Sequence, residues 1–230
     1  MNTSAATTGR APWWHTTLLV SLIVLVATTG LLLTSNTAAP TLTGGQGARL
    51  STLYLPLVLV QWGLVLYVCR IGRNRDELPA LLGAGWNDAR RAAGDVALAA
   101  MVFVVIFAVN ATYTHLRALG PNASTTSLLP ATTVERVAWV AVACSVGFCE
   151  EVVYRGYLLS ELSARTRFVT LGVILQALLF GLAHADQGLV GAIPVALDGV
   201  LLGVLAHSRK SLVPGIICHV AVDLVSGLIS

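Results

Sequence analysis

Hydrophobic residues gather in long blocks along this chain of 230 residues, and short segments rich in Gly, Pro, Ser and Thr separate the blocks. A helix needs roughly 20 apolar residues to cross the ~30 Å hydrocarbon core of a bilayer. The pattern predicts helices near residues 15–35, 50–70, 92–113, 134–160, 168–184, 189–206 and 212–229. Because lipid leaves every backbone group to be satisfied within a segment, we expect an all-α, polytopic membrane bundle with about seven transmembrane helices.

The composition agrees with a membrane protein. Hydrophobic residues make up 56% of the chain and charged residues 11%, whereas about 25% is usual for soluble domains. The net charge is only +3, and the arginines are scattered through loops, which argues against nucleic acid as a partner. The first block is longer than the apolar core of a signal peptide and follows Trp13 and Trp14, so we expect it to be retained as the first helix.

The cysteines and the basic loops add two further expectations. No cysteine is part of a CxxC pair and all lie in apolar blocks, which predicts buried free thiols at Cys69, Cys144, Cys149 and Cys218. The segments after the second, fourth and sixth blocks carry most of the Arg and Lys of the loops. By the positive-inside rule these segments are cytoplasmic. We therefore expect a multi-pass protein of the cell membrane with its N-terminus in the cytoplasm and its C-terminus outside.

Ionisable residues inside membrane helices cost roughly 2.5–3.5 kcal/mol each on insertion scales, so each needs a partner or a purpose. Five such residues stand out, and another, Asp198, has no obvious partner in the sequence. The five are Glu150, Glu151, His184, His219 and Asp223.

The two glutamates are expected to have different roles. Glu151 and Arg155 are four residues apart, so they share a helix face and can form an ion pair. Glu150 points about 100° away around the helix and lacks that arginine. Glu150 is therefore available as a general acid or base.

The spacing of the remaining residues predicts that they meet. A single histidine in a helix is more often a satisfied core residue than a catalyst, but His184 and Glu150 are equally distant from position 167, in the basic turn "SARTR". An antiparallel hairpin that turns there would place both at one depth. His219 and Asp223 are four apart and share a face of the last helix. We expect these four residues to meet in the cytoplasmic half of the bundle.

Three ordered motifs carry a family resemblance: Glu150-Glu151-x-x-x-Arg155, Phe180-x-x-x-His184 and His219-x-x-x-Asp223. Over residues ~134–228 the chain resembles the CPBP (CAAX protease and bacteriocin-processing, or Abi) family, which includes Rce1-like enzymes. The resemblance implies an intramembrane glutamic endopeptidase that needs no cofactor. Its substrate would be a membrane-associated protein or peptide, processed at a CaaX-type or bacteriocin-leader-type site.

The resemblance also implies roles for individual residues. Glu150 would activate a water with help from His184, and Glu151 with Arg155 would organise the helix. His219 would stabilise the oxyanion together with Asp223. Many family members carry Asn at the position of Asp223, and Asp donates only when protonated, so Asp223 could instead orient His219. Residues 134–230 would form the catalytic part and residues 1–133 a variable enclosure within one membrane domain.

Two alternatives stay open from the sequence. The first is a zinc-dependent membrane metalloprotease, because Glu150, His184, His219 and Asp223 are ligand types that zinc accepts, although an HExxH motif is absent. The second is a non-enzymatic membrane protein, such as an immunity or scaffold protein or a proton-coupled transporter. Matching pairs of interrupted helices, which many transporters have, are not evident.

Overall fold

The computed structural model describes residues 11–36, 49–70, 82, 88–117 and 128–229. These residues are predominantly helical, and no strand occurs in the described ranges. The long helices follow the predicted blocks: α1 (Trp13–Asn36), α2 (Leu50–Cys69), α3 (Ala89–Leu116), α4 (Thr133–Thr166), α5 (Val169–Ala183), α6 (Gly188–Arg209) and α7 (Val213–Leu228).

Membrane-spanning character follows from helix length and composition. Helices α1 to α4 are long and apolar enough to cross a bilayer, and so is α6 together with the short 3-10 turn Ala185–Gln187 before it. Helices α5 and α7 are shorter apolar helices. The predicted all-α membrane bundle is confirmed. The predicted orientation stays a prediction, and Arg73 and Arg75 of its most basic loop lie outside the described residues.

Helix α4 changes its winding where the paired glutamates occur. It begins with a capping box between Thr132 and Glu135, runs as an α-helix to Glu150, and then forms a π-helical segment, Glu151–Leu158. All eight residues of that segment are buried. The helix ends at Thr166, where Arg167 adopts a left-handed conformation with φ of 63°. The turn predicted near position 167 is confirmed.

The hydrophobic core surrounds the π-helical segment. Val152, Val153, Tyr157 and Leu158 of α4 pack with apolar side chains of α1, α2 and α5. Helix α5 lies against α6 and the end of α4, while α7 lies against α3 and the first part of α4. Large apolar side chains on the outer faces are exposed, including Leu25, Leu59, Leu66 and Val104. Such a surface is expected where lipid covers it.

Glycines allow the helices around the core to approach closely. A Cβ added at Gly147 of α4 would lie 3.1 Å from the backbone nitrogen of Val220 in α7, and one at Gly199 of α6 would lie 2.9 Å from Ala177 Cα in α5. Small residues at these contacts replace side-chain packing with close backbone approach. The four cysteines are free, as predicted, although Cys144 is exposed on the outer face of α4.

Polar contacts join α1 to the C-terminal part of α4. The Tyr157 hydroxyl lies 2.7 Å from His15 Nδ1 and 2.9 Å from Thr16 Oγ1. Arg165 donates to the carbonyl oxygen of Ala11 at 2.8 Å and to Thr16 Oγ1 at 3.2 Å. The first helix is thus hydrogen-bonded to the helix that carries both glutamates, and its retention stays a prediction.

Candidate active site

Helix α4 buries both glutamates at the change of winding. Glu150 is the last residue of the α-helical part and Glu151 the first of the π-helical segment. Their exposed fractions are 6% and 0%. Short π-helical segments are rare and occur often at functional sites. Glu151 contacts Arg155 and Glu150 contacts Gln61, while both carboxylates lie near His219.

Glu151 joins α4 to α7. Its Oε1 lies 3.0 Å from Arg155 Nη1 and accepts a hydrogen bond from His219 Nδ1 at 3.0 Å. The predicted contact with Arg155 is confirmed, but the contact with His219 was not foreseen. Glu151 therefore orients a histidine of another helix in addition to neutralising the arginine of its own.

Arg155 is held by charge and by an aromatic face. No nitrogen of its guanidinium is aligned for a hydrogen bond with any described residue. Its Cζ lies 4.2 Å from the ring centroid of Phe180. A guanidinium over an aromatic face gains cation–π attraction, which is stronger where water is excluded. Phe180 begins the second motif and Arg155 ends the first, so the two motifs pack directly against each other.

The two oxygens of Glu150 have different surroundings. Oε1 accepts a hydrogen bond of 2.7 Å from Gln61 Nε2 of α2. Oε2 is buried without a hydrogen-bond partner among the described residues and lies 3.5 Å from His219 Nε2. One oxygen is fixed by a donor, and the other faces His219 without a hydrogen bond from any described residue.

Gln61 was missed by reasoning from the sequence, which considered ionisable residues alone. It is the sole amide side chain in residues 50–69, within the apolar run "LVLVQWGLVL". An uncharged polar residue in the middle of a membrane helix is a signal that could have identified it.

Asp223 lies close to His219 but does not form a hydrogen bond with it. Asp223 Oδ2 is 4.0 Å from His219 Nε2, which is too long for a hydrogen bond. The carbonyl oxygen of Asp223 accepts a hydrogen bond of 2.9 Å from Trp139 Nε1. Glu151 binds the other ring nitrogen of His219, and an orienting role of Asp223 stays a prediction.

His184 lies beside the same site, at the end of α5. Its Nδ1 is 2.9 Å from the carbonyl oxygen of Phe180. The Phe180 ring separates the two histidines, with centroids 4.9 Å from His184 and 5.8 Å from His219. Electrostatic interaction links His184 to Asp223, but no ion pair or hydrogen bond joins it to Glu150 among the described contacts.

Asp198 has a hydrogen-bond partner in the structure, although none was evident from the sequence. Asn110 Nδ2 of α3 lies 2.9 Å and 3.1 Å from its two carboxylate oxygens. Asp198 also interacts electrostatically with His219, Arg155 and His184. This pair places a further acid near the site from α6.

The residues of the zinc alternative do not form a preassembled ligand set in the part of the chain that the structure describes. No group of three or more His, Cys, Asp or Glu side chains is arranged there to hold a metal ion. The contacts of Glu150, His219 and Asp223 are with one another and with other side chains.

Long apolar helices around buried acids and histidines define a multi-pass membrane protein with a polar intramembrane site. Residues 132–225 match the family described as type II CAAX prenyl endopeptidase Rce1-like, so that segment is similar to this family. The predicted resemblance is confirmed, and the match supports an intramembrane protease of the CAAX type with a protein substrate. Comparisons with curated proteins and with solved structures give no match.

Proposed function

We propose that the protein is an intramembrane glutamic endopeptidase that hydrolyses a peptide bond of a membrane-associated protein or peptide. The observation that carries this proposal is the buried, unpartnered Oε2 of Glu150, 3.5 Å from His219 Nε2. A buried acceptor without a partner costs about 1–3 kcal/mol. A water bound between Oε2 and His219 would remove that cost and would be placed for activation.

Glu150 serves as the general base in this mechanism. It accepts a proton from the water while the water oxygen bonds to the carbonyl carbon of the scissile peptide. The carbonyl oxygen becomes an oxyanion. When the intermediate collapses, the C–N bond breaks and the proton on Glu150 passes to the leaving nitrogen, which gives a carboxylic acid and an amine.

His219 serves as the donor to the oxyanion. With Nδ1 of His219 held by Glu151, a proton on Nε2 would point to the side of Glu150. A donor fixed in advance of the reaction stabilises developing charge more effectively than mobile water. Asp223, as a carboxylate, has no proton to give, so we assign the donor role to His219 alone.

The surrounding membrane limits the route by which a substrate reaches the site, and His184 lies beside that site. With Nδ1 bound at Phe180, Nε2 is the ring nitrogen of His184 that remains for water or substrate. The glutamates lie in a buried part of a membrane-spanning helix, so a substrate must reach them from within or beside the bilayer. A prenylated CaaX terminus is the first substrate to try, and a leader peptide the second.

The test compares protein termini in membranes of cells that carry wild type or Glu150→Gln at matched expression. We expect new termini with wild type alone, and their loss in His184→Ala. Identical termini in wild type and Glu150→Gln, with any phenotype of the protein intact in the variant, would overturn the proposal and favour a binding or immunity role.

A further inference from the structure

The N-terminal part of the chain supplies a polar contact to the candidate base. Gln61 lies in α2, outside residues 132–225, and its Nε2 donates to Glu150 Oε1 at 2.7 Å. The direction of this bond is set by chemistry, because an ionised carboxylate only accepts and the amide must turn its NH₂ toward it. Helix α2 packs against α4, so this contact is part of a helix interface.

We propose that Gln61 is a positioning residue for Glu150, an inference that rests on the function proposed above. The amide occupies Oε1 and so assigns Oε2, the oxygen beside His219, to the reacting water. Without the amide, rotation of the carboxylate would exchange the two oxygens and spread Glu150 over several orientations. The segment similar to the Rce1-like family is then incomplete as a catalyst without α2.

A second contact between the same two helices provides a matched control. Trp62 Nε1 lies 3.4 Å from Ser145 Oγ of α4 at an exposed position, and the Trp62 ring stacks on Phe148. Trp62→Phe removes this donor and keeps an aromatic ring for stacking. It reports what a polar contact between α2 and α4 contributes without touching Glu150.

Two variants distinguish a hydrogen-bond donor role of Gln61 from a space-filling role. Gln61→Met keeps the length of the side chain and removes the N–H donor, whereas Gln61→His keeps a ring N–H at a similar reach. If Gln61 only fills space, Met replaces it better than His does. If Gln61 positions Glu150, His is the better replacement.

The assay uses full-length protein purified in detergent and a peptide that spans a cleavage site mapped by the termini comparison. For Gln61→Met we expect kcat to fall roughly ten- to hundredfold with KM within about twofold, because misorientation of a catalytic group affects the reaction step. Gln61→His should recover part of that loss. Trp62→Phe should match wild type in kcat, and all three variants should melt within a few degrees of wild type.

The outcomes separate this inference from the proposed function. Wild-type kcat in Gln61→Met, a poorer kcat in Gln61→His than in Gln61→Met, or losses that follow the loss of folded protein in both variants would each overturn the role of Gln61. If Glu150→Gln is inactive while Gln61→Met cleaves normally, this inference alone fails. If wild type produces no new termini, the proposed function fails first and this inference with it.

Discussion

Gly215, in the first turn of α7, faces the carboxylate of Glu151. A Cβ added there would lie 2.6 Å from Glu151 Oε2 and 3.4 Å from Glu151 Cδ. The carboxylate would have to retreat by about 0.8 Å to reach an ordinary contact distance from the new methyl group. Gly215→Ala is therefore a way to displace Glu151 without changing its chemistry.

The expected losses of stability and of kcat follow from the contacts that Glu151 makes. Its Oε1 lies 3.0 Å from both Arg155 and His219, so a retreat of the carboxylate stretches both contacts. Overpacking of this kind costs about 1–3 kcal/mol, and Ala returns up to about 1 kcal/mol through its better helix propensity. We expect a net loss of about 1–2 kcal/mol in the free energy of unfolding. Displacement of His219 should lower kcat by roughly 10²-fold.

The measurement pairs turnover with thermal melting for purified Gly215→Ala. Gly63→Ala is the control, because a Cβ at this exposed position of α2 would meet nothing within 4 Å. That variant should keep wild-type turnover and melt no lower than wild type. Wild-type turnover in Gly215→Ala would refute the assignment of Glu151 as the residue that fixes His219.

Two further predictions concern charge and metal. Arg155→Met removes one partner of a fully buried ion pair and leaves His219 beside the carboxylate of Glu151, so denaturation should show a loss of about 3–5 kcal/mol. Arg136→Met, at an exposed position of α4, should change stability by less than about 0.5 kcal/mol; equal effects of the two would contradict the ion-pair assignment. Turnover should survive EDTA, and the purified protein should hold far less than one zinc per chain. Stoichiometric zinc with turnover that EDTA abolishes would support the metalloprotease alternative instead.

The helices were predictable because lipid leaves few choices to the backbone. An apolar block of about 20 residues satisfies its own backbone in a bilayer as a helix, and a short basic segment between two such blocks is expected to be a turn. The block predicted at 168–184 is α5, Val169–Ala183, and its hairpin turn falls at Arg167 as expected. Helical spacing also predicted that Glu151 would reach Arg155, since both positions belong to one helix.

Contacts between helices were not predictable from spacing. Periodicity tells which residues share a face, but it does not tell which helix covers that face. Gln61 and Glu150 are separated by 89 positions, and Glu151 and His219 by 68. The π-helical segment also depends on tertiary packing, because no residue type in "EVVYRGYL" requires it. The three motifs identified residues of the site. The different roles of the two glutamates depend on neighbours from α2 and α7.

The contacts of α1 with α4 have a consequence for how the protein is made. His15 enters the bilayer 142 residues before its partner Tyr157 has been synthesised, a delay of roughly 7–30 s at about 5–20 residues per second. During that interval the ring of His15 and the hydroxyl of Thr16 must form hydrogen bonds with water or with groups at the lipid surface. The hydrogen bonds between α1 and α4 can form only after α4 has been synthesised, so α1 completes its polar contacts well after it has been made.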